Sequence, residues 1–285
     1  MYLLTNRQRD ARNLILSYGS CLRHGLIPNL LCEGRGARYN ARDAVWWWLK
    51  SIKDYCDIYD ATSILNAWLY RLYPTDDAAH PNEHDLAHKN TAPNKQRLCD
   101  VIQEALCVHV NGLRFRERNA GPLIDDHMSD AGFSVEIGVD LDTGFVFGGN
   151  AFNCGTWCDK MGSSKKAGNA GLPATPRDGS AVELVGLSRC VLEWLINVYS
   201  AGNYPYDGVR VNKTGKQLTW VEWAKVKIDL LSFSIKNHIF VTFYTSILSV
   251  THNLVIYEKF VSLINSRLRF FIFGKLNKEA MICQN

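Results

Sequence analysis

Residues 38–59 read RYNARDAVWWWLKSIKDYCDIY, and this stretch predicts an amphipathic helix from Asp43 to Tyr59. Apolar side chains recur at helical spacing on one face, at Val45, Trp48, Leu49, Ile52, Tyr55, Cys56 and Tyr59. Successive residues point about 100° apart around a helix, so Trp46, Trp47 and Trp48 cannot all share that face. At least one of these indoles is therefore expected to face a cavity or a neighbouring element.

Helical spacing recurs in segments on either side of this stretch. It predicts strong helices from about Leu98 to Leu106 and from Leu184 to Val198, and weaker ones over residues 8–24 and 61–72 and from about Thr219. A small hairpin is predicted from Val139 to Gly148, with its turn at Asp142-Thr143-Gly144. Helices joined by long loops, such as the Gly-, Pro- and Ser-rich segment 162–179, favour an all-α toroid with loops over one mouth.

Composition limits the classes of partner. The chain has 285 residues and a formal net charge of +4, but residues 1–225 hold 25 basic and 25 acidic side chains and are formally neutral. Nothing in them calls for nucleic acid or an anionic membrane. The first residues have no apolar run of signal-peptide length, and the nine cysteines are an odd number. We interpret them as free thiols in a reducing compartment, which favours a cytoplasmic protein.

Residues 226–285 differ in composition from the rest. They hold seven of the twelve Phe but no Trp and no Pro, and they show no clean period of 2 or 3.6. We predict a domain over residues 1–225 and an unrelated hydrophobic tail over 226–285, such as translated non-coding sequence. The alternative is a membrane segment at Asn237–Tyr257. This span carries no charged residue, but nine of its residues are His, Asn, Ser or Thr, so it would insert poorly.

The first candidate for chemistry is the segment around Arg42 and Asp43. Aromatic planes beside Asp, Asn and Arg suit sugar recognition, because a ring stacks on the apolar sugar face while polar groups bind hydroxyls. Trp46, Trp47 and Trp48 would supply the planes. The alternative is that the tryptophans are core residues and that Asp43 favours the helix N-terminus.

Two loops provide further candidates. In residues 148–162, Asp159 lies two positions after Trp157, and desolvation there would raise the carboxyl pKa as a general acid requires. The alternative is an aspartate that caps a turn. In residues 175–183, Ser180 and Glu183 match a capping box, which would place Arg177 just outside the next helix, facing whatever the loop covers.

Metal ligation is not expected. His80, His84 and His88 have the spacing of one helical face, but Pro81 interrupts it in a polar, solvated segment. Cys154 and Cys158 have no obvious partner ligands. We therefore predict no metal and no cofactor.

Several long segments resemble the C-terminal region of eukaryotic glycogen debranching enzymes, the amylo-α-1,6-glucosidase domain. The resemblance covers roughly residues 10–223. It is carried by LRHGLIPNLLCEGRGARYNARDAVWWWLKSIKDYC, RLYPTDDAA, VIQEAL, FRERNAGP, TGFVFGGNAFNCGTWCDKMG and GLPATPRDGSAVELVGLS.

This resemblance implies an (α/α)6 toroid that removes the single α-1,6-linked glucose at a glycogen branch, with inversion. It implies that Asp159 in Thr-Trp-x-Asp-Lys-Met-Gly is the general acid, and that the Arg-Asp-Ala-Val-Trp-Trp-Trp motif lines the glucose pocket. Arg42, Asp43 and one or more of Trp46, Trp47 and Trp48 become substrate contacts, with Trp157 beside the acid. Arg177 and Glu183 border the same site. The implied partners are glycogen and the remainder of the debranching enzyme chain.

Two departures from the family stand out. Cys158 replaces the usual Met beside Asp159. The Pro-Glu-Trp motif near the family's catalytic base is absent from the 285 residues, although inversion needs two carboxylates. We therefore expect an incomplete toroid, about half of a twelve-helix ring, that is inactive alone. Half a ring exposes apolar flanks, which predicts marginal stability or aggregation.

Overall fold

A computed structural model of the chain describes residues 2–32, 35–75, 94–153, 155–156, 160–174 and 178–225. The helices with described bounds are α1 (Gln8–Ser20), α2 (Ala44–Ile58), α3 (Ala61–Leu65), α4 (Leu98–Asn111) and α5 (Val182–Ser200). A further helix begins at Trp220, next to the position predicted from the sequence.

Helix α2 is the helix that the quoted stretch predicts, and its buried side chains belong to the main hydrophobic core. Val45, Leu49, Ile52 and Tyr55 are at most 1% exposed, so the predicted apolar face is the buried one. Burial of each such side chain contributes roughly 1.5–3 kcal/mol. The helix packs against α1 and α5 and ends at Ile58, after which the backbone of Tyr59 is extended.

Helices α4 and α5 confirm the two other strong predictions. The α4 face at Leu98, Val101 and Ile102 is fully buried, as is the α5 face at Leu184 and Val191. Both faces belong to the same hydrophobic core as α2. The spacing of apolar residues was sufficient here because each helix buries one stripe against its neighbours.

The strands form small antiparallel sheets, so the fold is mostly helical but not all-α. Their bounds are β1 (Leu30–Cys32), β2 (Arg35–Arg38), β3 (Trp68–Tyr70), β4 (Lys95–Arg97), β5 (Leu113–Arg116), β6 (Ser134–Val139), β7 (Val146–Gly148), β8 (Gly208–Arg210) and β9 (Gln217–Thr219). Pairs β1–β2, β3–β4 and β8–β9 are separate, and β5–β6–β7 form a three-stranded sheet. The predicted hairpin is β6–β7, and Asp140 holds its turn by accepting from the Asp142 and Thr143 amides.

Two weaker helix predictions were too long. Residues 61–72 are helical only in α3, and Trp68, Leu69 and Tyr70 then alternate exposed, buried and exposed as β3, which pairs with β4. Aromatic residues favour such a strand when a partner is available, and the partner lies 25 or more positions away in the sequence. Helix α1 stops at Ser20 because a tight turn follows, with left-handed backbone at His24 (φ 54°) and Gly25 (φ 70°).

All described residues belong to one compact unit with one main core. Trp223 joins the last helix to the hairpin, since its indole donates to the Gly144 carbonyl at 2.9 Å. No helix within the described ranges is both long and apolar enough to cross a membrane. The alternative membrane segment at 237–257 lies outside those ranges. The closed or partial toroid stays a prediction.

Candidate functional site

The three adjacent tryptophans of α2 point to three different environments. Trp46 is fully buried and makes edge-to-face contacts with the rings of His109 (5.6 Å) and Trp223 (6.3 Å). Trp48 is 5% exposed, and its indole donates to the Ile15 carbonyl at 3.0 Å. Trp47 is 49% exposed. The large aromatic surface open to a ligand on this helix is therefore that of Trp47.

A cavity of about 640 Å³ lies beside Trp47. Helix α2 contributes Asp43, Trp47 and Trp48 to its wall, helix α1 contributes apolar side chains such as Leu14, and the loop before residue 157 contributes Thr156. The volume falls within the roughly 300–1,000 Å³ of small-molecule sites, and the mixture of aromatic wall and few polar groups is typical of them.

Asp43 is positioned by the start of α2 but does not cap it. It occupies the N-cap position with helical backbone angles, and its side chain makes no capping hydrogen bond. The residue is 3% exposed and lines the cavity. The residue thus lies in the cavity wall at the positive end of the helix dipole, which stabilises a carboxylate charge.

Arg42 joins three segments that the sequence analysis singled out. Its backbone amide donates to the Gly155 carbonyl at 2.8 Å, and its Nη2 donates to the Gly179 carbonyl at 3.2 Å. The residue is 1% exposed and is not among the described residues that line the cavity. Its observed contacts therefore hold the two loops against the start of α2 from behind the cavity wall.

The loop that precedes Asp159 is anchored by two asparagines. Asn153 donates from Nδ2 to the Ser134 carbonyl at 3.1 Å, and its Oδ1 accepts from the Asn150 amide at 3.1 Å. Asn150 donates from its own side chain to the Ala131 carbonyl at 3.1 Å. These bonds tie the loop to the start of β6, and sequence spacing did not indicate them.

Thr156 is the last described residue before the predicted acid. It is 1% exposed, and its hydroxyl has no hydrogen-bond partner in the part of the chain that the structure describes. Buried hydroxyls are usually paired, but this oxygen is inaccessible from the cavity and does not by itself indicate a ligand. Trp157 and Asp159 themselves lie outside the described residues.

The third predicted segment meets the other two at Gly179. Its carbonyl accepts from Arg42 and also from the Gly148 amide at 3.1 Å. The predicted capping box was wrong, because α5 begins one residue later than Ser180 requires: Ala181 is the N-cap and provides no side-chain bond. Glu183 is half-buried in the first turn of α5, and Arg177 lies outside the described residues.

The histidines His80, His84 and His88 and the pair Cys154 and Cys158, for which no metal site was predicted, also lie outside the described residues. Among the residues that are described, Asp125, Asp126 and His127 bring ligand atoms within 4.8 Å of one another. Two of the three are exposed, and His127 Nδ1 already contacts Asp126 at 2.8 Å. An exposed cluster of this kind is common without a metal, so it does not indicate a metal centre.

His109 lies behind the tryptophan cluster and has the clearest electrostatic signature near it. Its Nδ1 lies 2.8 Å from the Ala105 carbonyl within α4, and full burial lowers the pKa of the imidazole to about 4. Burial disfavours the charged form, so the ring is neutral near pH 7 and packs as an apolar partner of Trp46.

Comparisons with known proteins identify the family of the chain. The family model described as amylo-alpha-1,6-glucosidase matches residues 1–240, which is longer than the 10–223 covered by the quoted motifs. The glycogen debranching enzyme of Saccharomyces cerevisiae is 43% identical over 230 residues, which are 80% of this chain and 15% of that enzyme. The chain thus spans a small part of the length of this relative. On the family match and this identity, the chain belongs to the amylo-alpha-1,6-glucosidase family.

Proposed function

We propose that the cavity beside Trp47 is the sugar-binding end of a glucosidase site that acts on α-1,6-linked glucose at glycogen branch points. The observation that carries this proposal is the meeting of three motif segments, with Arg42 bonded to Gly155 and Gly179 while Asp43 and Trp47 line one cavity. Arg42 orders the loops. Asp43 accepts hydrogen bonds from sugar hydroxyls, and Trp47 stacks on the apolar face of the sugar. Trp48 completes the wall.

The proposed reaction is inverting hydrolysis. Asp159, desolvated by Trp157, donates its proton to the glycosidic oxygen as the bond from that oxygen to the sugar C1 breaks. A water molecule on the opposite face forms the new bond to C1, and a second carboxylate roughly 6.5–9.5 Å away takes its proton. Arg177 and Glu183 border the sugar, and Trp46 supports the wall from the core. No step needs a metal.

The base is the missing component. The family's Pro-Glu-Trp motif does not occur in the sequence, so we propose that this chain binds the sugar but does not hydrolyse it without the remainder of a debranching enzyme. The second candidate is a non-catalytic glycogen-binding remnant. It is favoured by the cavity itself, because Asp43 and Trp47 line it without any contribution from a catalytic base. The third candidate is a chain without function that results from a faulty gene model.

Binding of isomaltose, which contains the α-1,6 bond, tests the proposal. Calorimetric titration should detect binding to the unaltered chain, and Trp47→Ala should weaken it about tenfold by removing the stacking surface. Trp68→Ala is the matched control, because Trp68 is 55% exposed and lines neither this cavity nor its wall. Equal affinities for both variants and the unaltered chain would place the sugar elsewhere.

Enzymatic assay separates the candidates. Glucose release from a branched α-glucan should be undetectable with the chain alone. If the chain releases glucose and Asp159→Asn abolishes this release, the proposal that the chain lacks the catalytic base is wrong. If neither sugar binding nor glucose release is detected, the third candidate, a chain without function, remains.

A further inference from the structure

A second cavity, of about 420 Å³, lies between two turns and shares no lining residue with the first. One wall is the turn after α1, with Arg23 and His24, and the other is the turn after β5, with Glu117 and Arg118. Tyr39 and Tyr73 also line it. The spacing of residues in the sequence did not indicate this cavity, although its walls come from the LRHG and FRERN segments.

The cavity presents a buried acceptor and a buried donor together. The Glu117 side chain is 4% exposed and is held by Arg38, whose Nε and Nη2 donate to its two oxygens at 2.7 and 2.9 Å. Arg23 is 6% exposed, and its guanidinium lies 4.6 Å from the centre of the Tyr73 ring. Because Arg38 holds one side of the carboxylate, its position is rigid, as a binding group requires.

This combination suits a polyhydroxylated ligand. Arg38 offsets the charge of Glu117, which still offers an acceptor, and Arg23 and Arg118 supply donors beside it. Each sugar hydroxyl both donates and accepts, so a sugar can bond to both groups at once. The cavity volume also lies within the roughly 300–1,000 Å³ of small-molecule sites.

Aromatic side chains line the same space. The rings of Tyr39 and Tyr73 meet edge to face at 6.4 Å, and the Tyr39 hydroxyl is fixed by donating to the Cys21 carbonyl at 2.6 Å. His24 stacks on Phe115 with 4.0 Å between ring centres. Apolar ring surface beside hydrogen-bonding groups is what the alternating faces of a hexose require.

Both walls contain strained backbone. His24 (φ 54°) and Asn119 (φ 60°) are two of the three non-glycine residues with positive φ among those described. Such conformations cost about 1–3 kcal/mol each and persist where surrounding structure enforces them, often at ligand sites. Their placement on the two sides of one cavity is consistent with walls shaped for a ligand.

We propose that this second cavity binds another glucosyl unit of the branched α-glucan, separate from the unit beside Trp47. The choice of glucan as the sugar rests on the proposed function, whereas the choice of a sugar rests on the acceptor Glu117 beside the donors Arg23 and Arg118. A chain with two sugar-binding cavities would hold a branched polymer at two points, which raises its apparent affinity for the polymer above that for either arm.

The test disables each cavity in turn by substitution. Each variant is titrated with maltotriose, and calorimetry and ligand-observed NMR measure the binding. The unaltered chain is expected to bind through two sites. The double variant Asp43→Asn/Trp47→Ala should retain the second site. Arg118→Ala and Glu117→Gln should each weaken that remaining site about tenfold, the loss of a hydrogen bond to a charged group. Arg114→Ala, on the same strand-and-turn segment with an 83% exposed side chain, is the matched control and should change nothing.

The outcomes distinguish this inference from the proposed function. If Asp43→Asn/Trp47→Ala removes all sugar binding and Arg118→Ala removes none, the second site is wrong and the first stands. If Asp43→Asn/Trp47→Ala changes nothing while Arg118→Ala abolishes binding, the second site stands and the first is wrong. Because Arg118 is exposed, its loss should leave the thermal midpoint unchanged, so weaker binding in that variant cannot be ascribed to unfolding.

Discussion

Single residues of the tryptophan cluster differ in role because their surroundings differ, although their chemistry is the same. Trp46 is enclosed by His109 and Trp223, Trp48 bonds to the backbone of α1, and Trp47 faces a cavity. Truncation of a buried aromatic removes transfer free energy and leaves a void, whereas truncation of a half-exposed one removes mainly a binding surface. The cluster therefore combines core packing and cavity lining within three consecutive positions.

Paired substitutions at this cluster should show that separation. Trp46→Ala should lower the free energy of unfolding by about 3–5 kcal/mol, because it opens a cavity in the core. Trp47→Ala should lower it by less than about 1 kcal/mol and act instead on isomaltose affinity. Urea denaturation followed by circular dichroism measures both. Similar losses of stability in the two variants would argue against the cavity-facing position of Trp47.

The buried imidazole of His109 should make the stability of the folded protein depend on pH. Its pKa is about 4 in the folded protein and 6.5 as an unperturbed group, so the unfolded chain takes up a proton first as the pH falls. Stability should therefore decline with falling pH from about 6.5, by roughly 3 kcal/mol when pH 4 is reached. The other described groups with shifted pKa values titrate outside this range. The pKa values of the Cys, Tyr, Lys and Arg groups are raised from ordinary values of 9 or above, and those of Asp100 and Glu222 are lowered from ordinary values below 5. These groups therefore contribute little to the change in stability between pH 6.5 and 5.

Urea midpoints at pH 7, 6 and 5 measure this effect. His109→Gln is the control, since glutamine is polar, of comparable length and does not titrate. The pH slope between 6.5 and 5 should be smaller in the variant, whatever its stability at pH 7. An unchanged slope would show that His109 is not the titrating group.

At the scale of elements, Arg42 and the glycines around it decide how the loops lie against α2. The loop residue Gly155 has a left-handed backbone (φ 59°), and a Cβ added there would collide with Arg42 Nη1. Gly148 likewise brings the β7 end within contact of the Arg42 side chain. The end of β7 and the loop at Gly155 therefore lie close to Arg42 because these two positions lack side chains.

Gly155→Ala tests this close approach against a matched glycine. Gly168 has nearly the same backbone (φ 66°), but a Cβ there would meet no atom within 4 Å. Both alanine variants should lose about 1–2 kcal/mol from the left-handed backbone alone. Gly155→Ala should lose roughly 1–3 kcal/mol more, because Arg42 must shift from the Gly179 carbonyl.

Thermal and urea denaturation give the stability difference, and isomaltose titration gives its consequence for binding. Gly155→Ala should weaken binding, and Gly168→Ala should leave it intact. Equal stability of the two variants would mean that Arg42 can move without cost, which would contradict its role as a tie between loops.

At the scale of the whole molecule, the described unit exposes apolar surface around its larger cavity. Leu14 and Trp47 are 47% and 49% exposed on the cavity wall, while the surrounding core is fully buried. Adjacent apolar surface of this kind promotes association between molecules.

Charge placed at that cavity should therefore improve solution behaviour. Leu14→Glu is expected to raise the monomeric fraction measured by light scattering after size-exclusion chromatography. Leu123→Glu is the control, because Leu123 is fully exposed and lines neither cavity. A monomeric unaltered chain, or an equal gain from both variants, would show that the cavity wall does not drive association.

Local patterns determined much of this protein. The spacing of apolar residues predicted α2, α4 and α5 with their buried faces, because a helix must bury one stripe, and turn residues predicted the β6–β7 hairpin. Long unusual segments such as RYNARDAVWWW identified the family. They also named Arg42, Asp43, Trp46, Trp47 and Trp48 as candidates without indicating which of them lines a cavity.

Tertiary structure decided what depends on distant partners. Strand β3 forms because β4 is there to pair with it, and the helix predicted over residues 61–72 ends early for that reason. Arg42 became a tie behind the cavity wall because the carbonyls of Gly155 and Gly179, more than 100 positions away, lie beside it. The cavity at Glu117 and Arg23 has no local signature. It exists because two strained turns, far apart in sequence, face each other across the same space, and periodicity carries no information about such pairs.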